Sequence, residues 1–131
     1  MARMRFIRPE PHRQRKWVRD AVFKRDRGLC AMCGLDTEAL RLSLRAEAVA
    51  AGWWYSSGYG GDSSPGQRLW MQRCQDHGMS WRLSFWSADH ILPFAEGGAC
   101  SLENLRTLCR PCHRKVTKEW ITQKRESQWT G

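Results

Sequence analysis

The sequence predicts a small α+β fold: two short strands and a helix over residues 86–123, an amphipathic helix near the N-terminus, and a helical and loop-like insertion between them. Three observations predict it. Residues 86–92 have strand character up to Pro93, Gly97-Gly98 marks a turn, and residues 105–108 can return as the partner strand. Pro111 then suits the first turn of a closing helix. Finally, Cys30-x-x-Cys33 and Cys109-x-x-Cys112 are two pairs at zinc-ligand spacing, so a four-cysteine zinc knuckle would staple the first helix to the last.

At 131 residues the chain is expected to be one domain with a modest core, which a structural metal would help to hold. Its 22 Lys and Arg exceed its 13 Asp and Glu, for a net charge of +9. Such a chain is attracted to polyanions, nucleic acid foremost, although charge alone does not separate this from a merely basic surface. Of its six cysteines, four form the two C-x-x-C pairs, which argues against a secreted disulfide framework. The N-terminus has no apolar run of signal-peptide length, and no segment approaches the ~18 apolar residues of a membrane span. A reducing cytoplasm is therefore the expected compartment.

Residues 1–11 read as a basic extended arm, and residues 12–26 as a helix with Trp17 and Ala21 in its apolar stripe, joined by Val18 and Val22. Gly28 ends it, and Cys30 to Gly34 form the first half of the knuckle. Asp36 is a good N-cap for a second helix, whose apolar line is Leu40, Leu44, Ala48 and Ala51. Residues 53–66, rich in Gly and Ser, read as a loop; Trp53, Trp54, Tyr55 and Tyr59 are expected to cap the core beside it rather than stack on bases. Residues 67–85 are ambiguous, with Cys74 expected as a buried thiol and His77 at the surface. In the final helix Val116, Trp120 and Ile121 are expected to face inward, and residues 124–131 to fray as a tail.

Four thiolates leave no coordination position open, so the knuckle is structural. Reactive chemistry must come from elsewhere. Asp89 and His90 are adjacent, and on a strand they point to opposite faces and can take different tasks. A carboxylate with the imidazole of His113 suits a divalent cation that also accepts phosphate oxygens. His90 is then left as a general base, a role that fits an imidazole near neutral pH. His113 could instead replace Cys112 on zinc. Arg110, Arg114, Lys115 and Lys118 surround this helix and are expected to contact phosphates.

With ADHILPFAEGG, SLENLRTLC and CRPCHRKVT in order, the chain resembles the HNH endonuclease family, whose fold is the ββα-metal module. The likeness is densest over residues 86–117 and reaches back to about residue 14. It is similar to zinc-knuckle HNH modules found alone in bacteria and phages or attached to DNA-remodelling helicases. The resemblance implies that His90 activates the attacking water and that Asp89 and His113 hold one Mg²⁺ or Mn²⁺. Asn104 would brace the hairpin loop and so orient His90. It implies a DNA endonuclease leaving 5′-phosphate ends, with one site cutting one strand, so that a double-strand break needs a homodimer, two nicks or a partner. The knuckle and the charge alone would also suffice for a non-catalytic DNA- or protein-binding module, or for a subunit of a larger nuclease complex.

Overall fold

The computed structural model describes residues 16–53 and 64–129. The order is α1 (Lys16–Asp26), α2 (Thr37–Ala50), α3 (Pro65–Asp76), β1 (Trp86–His90), β2 (Leu105–Cys109) and α4 (Arg110–Trp129). Two 3-10 turns, Phe94–Glu96 and Leu102–Asn104, shape the loop between the strands. The strands pair antiparallel, with Trp86 opposite Cys109 and His90 opposite Leu105. This is the α+β hairpin-and-helix architecture expected, and α2 and α3 occupy the insertion. The arm at residues 1–11, the helix start at 12–15, and Trp54, Tyr55 and Tyr59 lie outside the described residues.

α1 packs on the hairpin through Val18 and Val22, which are buried against Trp86, Ala88 and Leu105. The inward stripe is thus one residue round from the Trp17–Ala21 line, and Trp17 is 64% exposed. Two compact β-branched side chains let the helix lie close to the Trp86 ring, where an indole would hold it off. Phe23 stacks on Trp86 at 6.0 Å. The end of α1 is tied down by polar contacts, Arg25 donating to the carbonyls of Leu102 and Leu105. Thr107 Oγ1 donates to Asp26 Oδ2 at 2.9 Å.

α2 begins as its sequence suggests: Asp36 accepts from the Ala39 amide at 2.9 Å. Leu44 and Ala48 are buried, whereas Ala51 has passed the end of the helix and is exposed. α3 is capped by Ser64 and opens on Pro65. Gly66 is required where α3 crosses the end of α2, because a Cβ there would lie 2.3 Å from the Ala48 carbonyl oxygen and the Trp53 nitrogen. That crossing brings Trp53 onto Trp70, and Trp70 onto Phe85, each pair with ring centres 5.6 Å apart. Trp53 therefore closes the core. Cys74 is fully buried with Leu44, Met79, Phe85 and Leu108, and burial pushes its thiol up to about 11. Burying Phe85 or Leu108 contributes roughly 1.5–3 kcal/mol each.

β1 stops at His90, and Ile91 and Leu92 form an exposed bend rather than more strand. α4 follows β2 without a break, starting at Arg110 and running 20 residues to Trp129, past the boundary expected at residue 123. Residues 124–128 contain no Gly or Pro, and Lys124 Nζ holds Glu96 at 2.8 Å, anchoring the last turns to the hairpin loop. Val116 packs against the core, but Ile121 is 41% exposed. None of the helices of the described residues is long and apolar enough to cross a membrane.

Candidate active site

Cys30 and Cys33 leave the turn after α1; Cys109 ends β2 and Cys112 lies in the first turn of α4. The turn closes through Gly34 N donating to Cys30 O, and it is knitted to β2 by Ala31 N donating to Thr107 O at 2.8 Å. All four sulfurs lie within 4.8 Å of one another, with Cys33 and Cys109 at 3.6 Å. The edge of a ZnS₄ tetrahedron with ~2.3 Å bonds is about 3.8 Å, so the set fits one tetrahedral cation. Burial pushes the Cys109 and Cys112 thiols up. Against the same effect, backbone donors at Cys33, Cys109 and Met32 bring Cys30 down to about 6. Donors of this softness suit Zn²⁺.

His113 is not part of that set. Starting from the first turn of α4, it turns toward β1, and its Nδ1 lies 2.8 Å from both oxygens of Asp89. Ser87, two residues before Asp89 and so on the same strand face, donates to Asp89 Oδ1 and lies 3.4 Å from the same Nδ1. The Asp89 side chain is 13% exposed and that of His113 is 36% exposed. One oxygen-nitrogen pair therefore converges on a point that opens to solvent, and a hard divalent cation could be held there.

Adjacent strand residues take different partners here. His90 lies on the loop side, with Nε2 3.0 Å from the Cys100 sulfur and its ring 6.1 Å from that of Phe94. The strand ends at His90, so one cavity of about 630 Å³ reaches Asp89, His90 and His113 together. The loop beside His90 is held by Asn104. Its amide donates to the carbonyls of Leu92 and Ala99, and its oxygen accepts from Leu92 N at 2.8 Å. Gly98 makes this closure possible, because a Cβ there would stand 1.8 Å from the Leu92 carbonyl oxygen.

Of the four basic residues expected at phosphates, Arg110 lines the cavity. Arg114 and Lys118 line a smaller depression farther along α4, and Arg114 also donates to Gly78 O at 2.6 Å. Lys115 is exposed and lines neither. Sequence reasoning missed Arg19, Arg106, Ser87 and Cys100. Ser87 was within reach, since it shares a strand face with Asp89; Arg19 carries no local signal linking it to residues some 70 positions away.

Residues 72–119 match the HNH endonuclease family model. The bovine protein "DNA annealing helicase and endonuclease ZRANB3" is 34% identical over 111 residues, covering 79% of this chain. Its human counterpart is 33% identical over 114 residues, covering 77%. The crystal structure of the human ZRANB3 HNH domain aligns over 86% of this chain and 93% of that domain, with 26% identity and a TM-score of 0.51. Residues 72–119 form an HNH domain. The chain spans 9% of the length of the full-length relatives it matches. The HNH match takes in the end of α3, both strands and the first half of α4, with Asp89, His90, Asn104 and His113 inside it. Cys30 and Cys33 lie outside it, so half of the four-cysteine site comes from chain that precedes the HNH match.

Proposed function

We propose that this protein is a metal-dependent DNA endonuclease of the HNH type that hydrolyses phosphodiester bonds. The observation that carries the reading is the convergence of Asp89 and His113, 2.8 Å apart, in a cavity that His90 also lines. A Mg²⁺ or Mn²⁺ between them would supply Lewis acidity at the scissile phosphate and stabilise the leaving oxygen. His90 takes the proton of the attacking water, using an Nε2 that its Cys100 contact must release. Asn104 acts through the loop, fixing the backbone from Leu92 to Ala99 and hence the approach to His90. Arg110, Arg114, Lys115 and Lys118 meet phosphates without reading sequence. The four cysteines hold Zn²⁺ as a structural staple.

One such site cuts one strand, so the reading predicts nicking of duplex DNA, with double-strand breaks only through a homodimer or a larger complex. A reducing compartment such as the cytoplasm keeps the four thiols available to zinc. End-labelled duplex incubated with zinc-loaded protein and Mg²⁺ or Mn²⁺ tests the reading. Fragments bearing 5′-phosphate ends are expected. Intact DNA of every form, single-stranded, duplex and branched, across a titration of both metals would overturn it.

A further inference from the structure

Three arginines converge on the active-site cavity from three different elements: Arg19 from α1, Arg106 from β2 and Arg110 from the start of α4. Among the described residues none of them forms an ion pair with a carboxylate, whereas Arg25, Arg41 and Arg73 pair with Asp26, Glu38 and Glu47. Arg106 stands opposite Asp89 across the hairpin, and its Nε is buried without a hydrogen-bond partner among the described residues. A buried donor left unmatched is costly, so such a group marks a place where an acceptor is missing.

The other two guanidinium groups are aimed by a single residue. Ser84 Oγ accepts from Arg19 Nη2 at 3.1 Å, and Ser84 O accepts from Arg110 Nε at 2.8 Å. Arg19 also lies over the Trp86 ring, its Cζ 4.2 Å from the ring centre. Each fork is thus aimed by one hydrogen bond to Ser84 and keeps other N–H groups to offer. Burial lowers the affinity of Arg110 for its proton, and repulsion from Arg19 and Arg114 lowers it further against attraction by Asp89. Burial likewise lowers that of Arg19. The protein therefore gathers three arginines around the cavity that Asp89 and His113 also line.

We propose that Arg19, Arg106 and Arg110 form a three-sided clamp for a backbone phosphate next to the one that is cut. The neighbouring phosphate is favoured because Arg110 precedes His113 by three residues on one face of α4, an offset of about 4.5 Å along the helix. Arginine forks suit the tetrahedral oxyanion, and one phosphate oxygen would accept from the orphaned Arg106 Nε. Arg19 lies before the HNH match and Arg106 within it, so the clamp joins α1 to the catalytic hairpin in one substrate contact. This rests on the reading of the cavity as a DNA site.

A test compares wild type with Arg106→Gln and with Arg19→Gln/Arg106→Gln. Duplex binding is followed by fluorescence anisotropy against salt, with zinc-loaded protein and no added Mg²⁺ or Mn²⁺. The clamp predicts that the slope of log K against log salt becomes shallower by about 1, the share of one phosphate. In cleavage assays KM should rise at least tenfold with kcat retained, because a phosphate beside the cut is held equally before and at the transition state. Arg106→Lys should restore the slope. Arg73→Gln, which removes the same charge from α3 where Glu47 and Asp76 already neutralise it, should change neither. Arg106→Gln carries the claim alone, since Arg106 Nε gives up no hydrogen bond. A folded double variant with the wild-type slope and KM would overturn the clamp. Wild type that binds with the expected slope change in the variants, yet never cuts, would keep the clamp and overturn the nuclease reading.

Discussion

Asn104 grips Leu92 with both ends of its amide: Oδ1 accepts from Leu92 N at 2.8 Å and Nδ2 donates to Leu92 O at 3.1 Å. The main chain adds Ile91 N donating to Asn104 O at 2.7 Å. A side chain 12 residues away thus replaces the strand pairing that β1 loses after His90. Asn104→Ala hands one N–H and two carbonyls to solvent and should cost about 1 kcal/mol in urea unfolding. Asn104→Asp restores only the acceptor, so it should recover part of this. Cleavage should lose kcat in both, because the loop beside His90 is no longer fixed.

Ser87 has a measurable task of its own. Its hydroxyl donates to Asp89 and fixes the carboxylate against His113. Ser87→Ala should weaken Mn²⁺ binding by roughly 10–100-fold, read by calorimetry on zinc-loaded protein. Asp89→Ala should abolish it at the same concentrations. Equal Mn²⁺ affinity in wild type and Asp89→Ala would show that the cation binds elsewhere.

Asp26 makes the α1 anchor pH-dependent. The hydrogen bond from Arg25 holds its carboxyl below the usual range, opposed by burial and helped by Thr107. A depressed carboxylate stabilises the fold fully above its ordinary pKa, and that contribution disappears as pH falls through the depressed value. Asp26→Asn should therefore cost about 1–2 kcal/mol near pH 7. The gap between variant and wild type should close in acid, as followed by urea unfolding at stepped pH.

Removing zinc should loosen the whole unit, because the cysteines join the turn after α1 to the β2–α4 junction. One zinc per chain is expected by elemental analysis. Cys33→Ala should release it and lower the melting temperature. Cys74→Ala, whose thiol lies in the core and not in the four-cysteine set, should keep the metal while losing packing. Zinc affinity should fall as pH falls, since protons compete for the thiolates.

Most of the site chemistry was legible because it is local. Asp89-His90 and the two C-x-x-C pairs are readable at fixed offsets, and Asp36 as an N-cap needs only its own neighbours. The inward face of α1 was not so legible. Trp17–Ala21 and Val18–Val22 are both apolar lines at helical spacing, and only the Trp86 surface, 64 residues from Val22, decides between them. The same limit hid Arg19, whose place over Trp86 depends on how α1 docks. Residues 67–85 resisted reading because α3 presents its apolar side partly through Trp70 and Cys74, without a clean stripe. The end of α4 was misjudged for a different reason: its polar residues read as a tail, but the Lys124–Glu96 contact gives them a tertiary anchor.

The most direct test of the central claim is relaxation of supercoiled plasmid by wild type and by His90→Ala, each with Mg²⁺, with Mn²⁺ and with neither. His90 has no partner in the zinc site or the core, so the variant should fold and keep both metals. Open-circular product that requires the added cation, and that falls by at least about 100-fold in His90→Ala, is the expected result. Metal-dependent nicking at the wild-type rate by His90→Ala would contradict the assignment of His90 as the base and, with it, the proposed site.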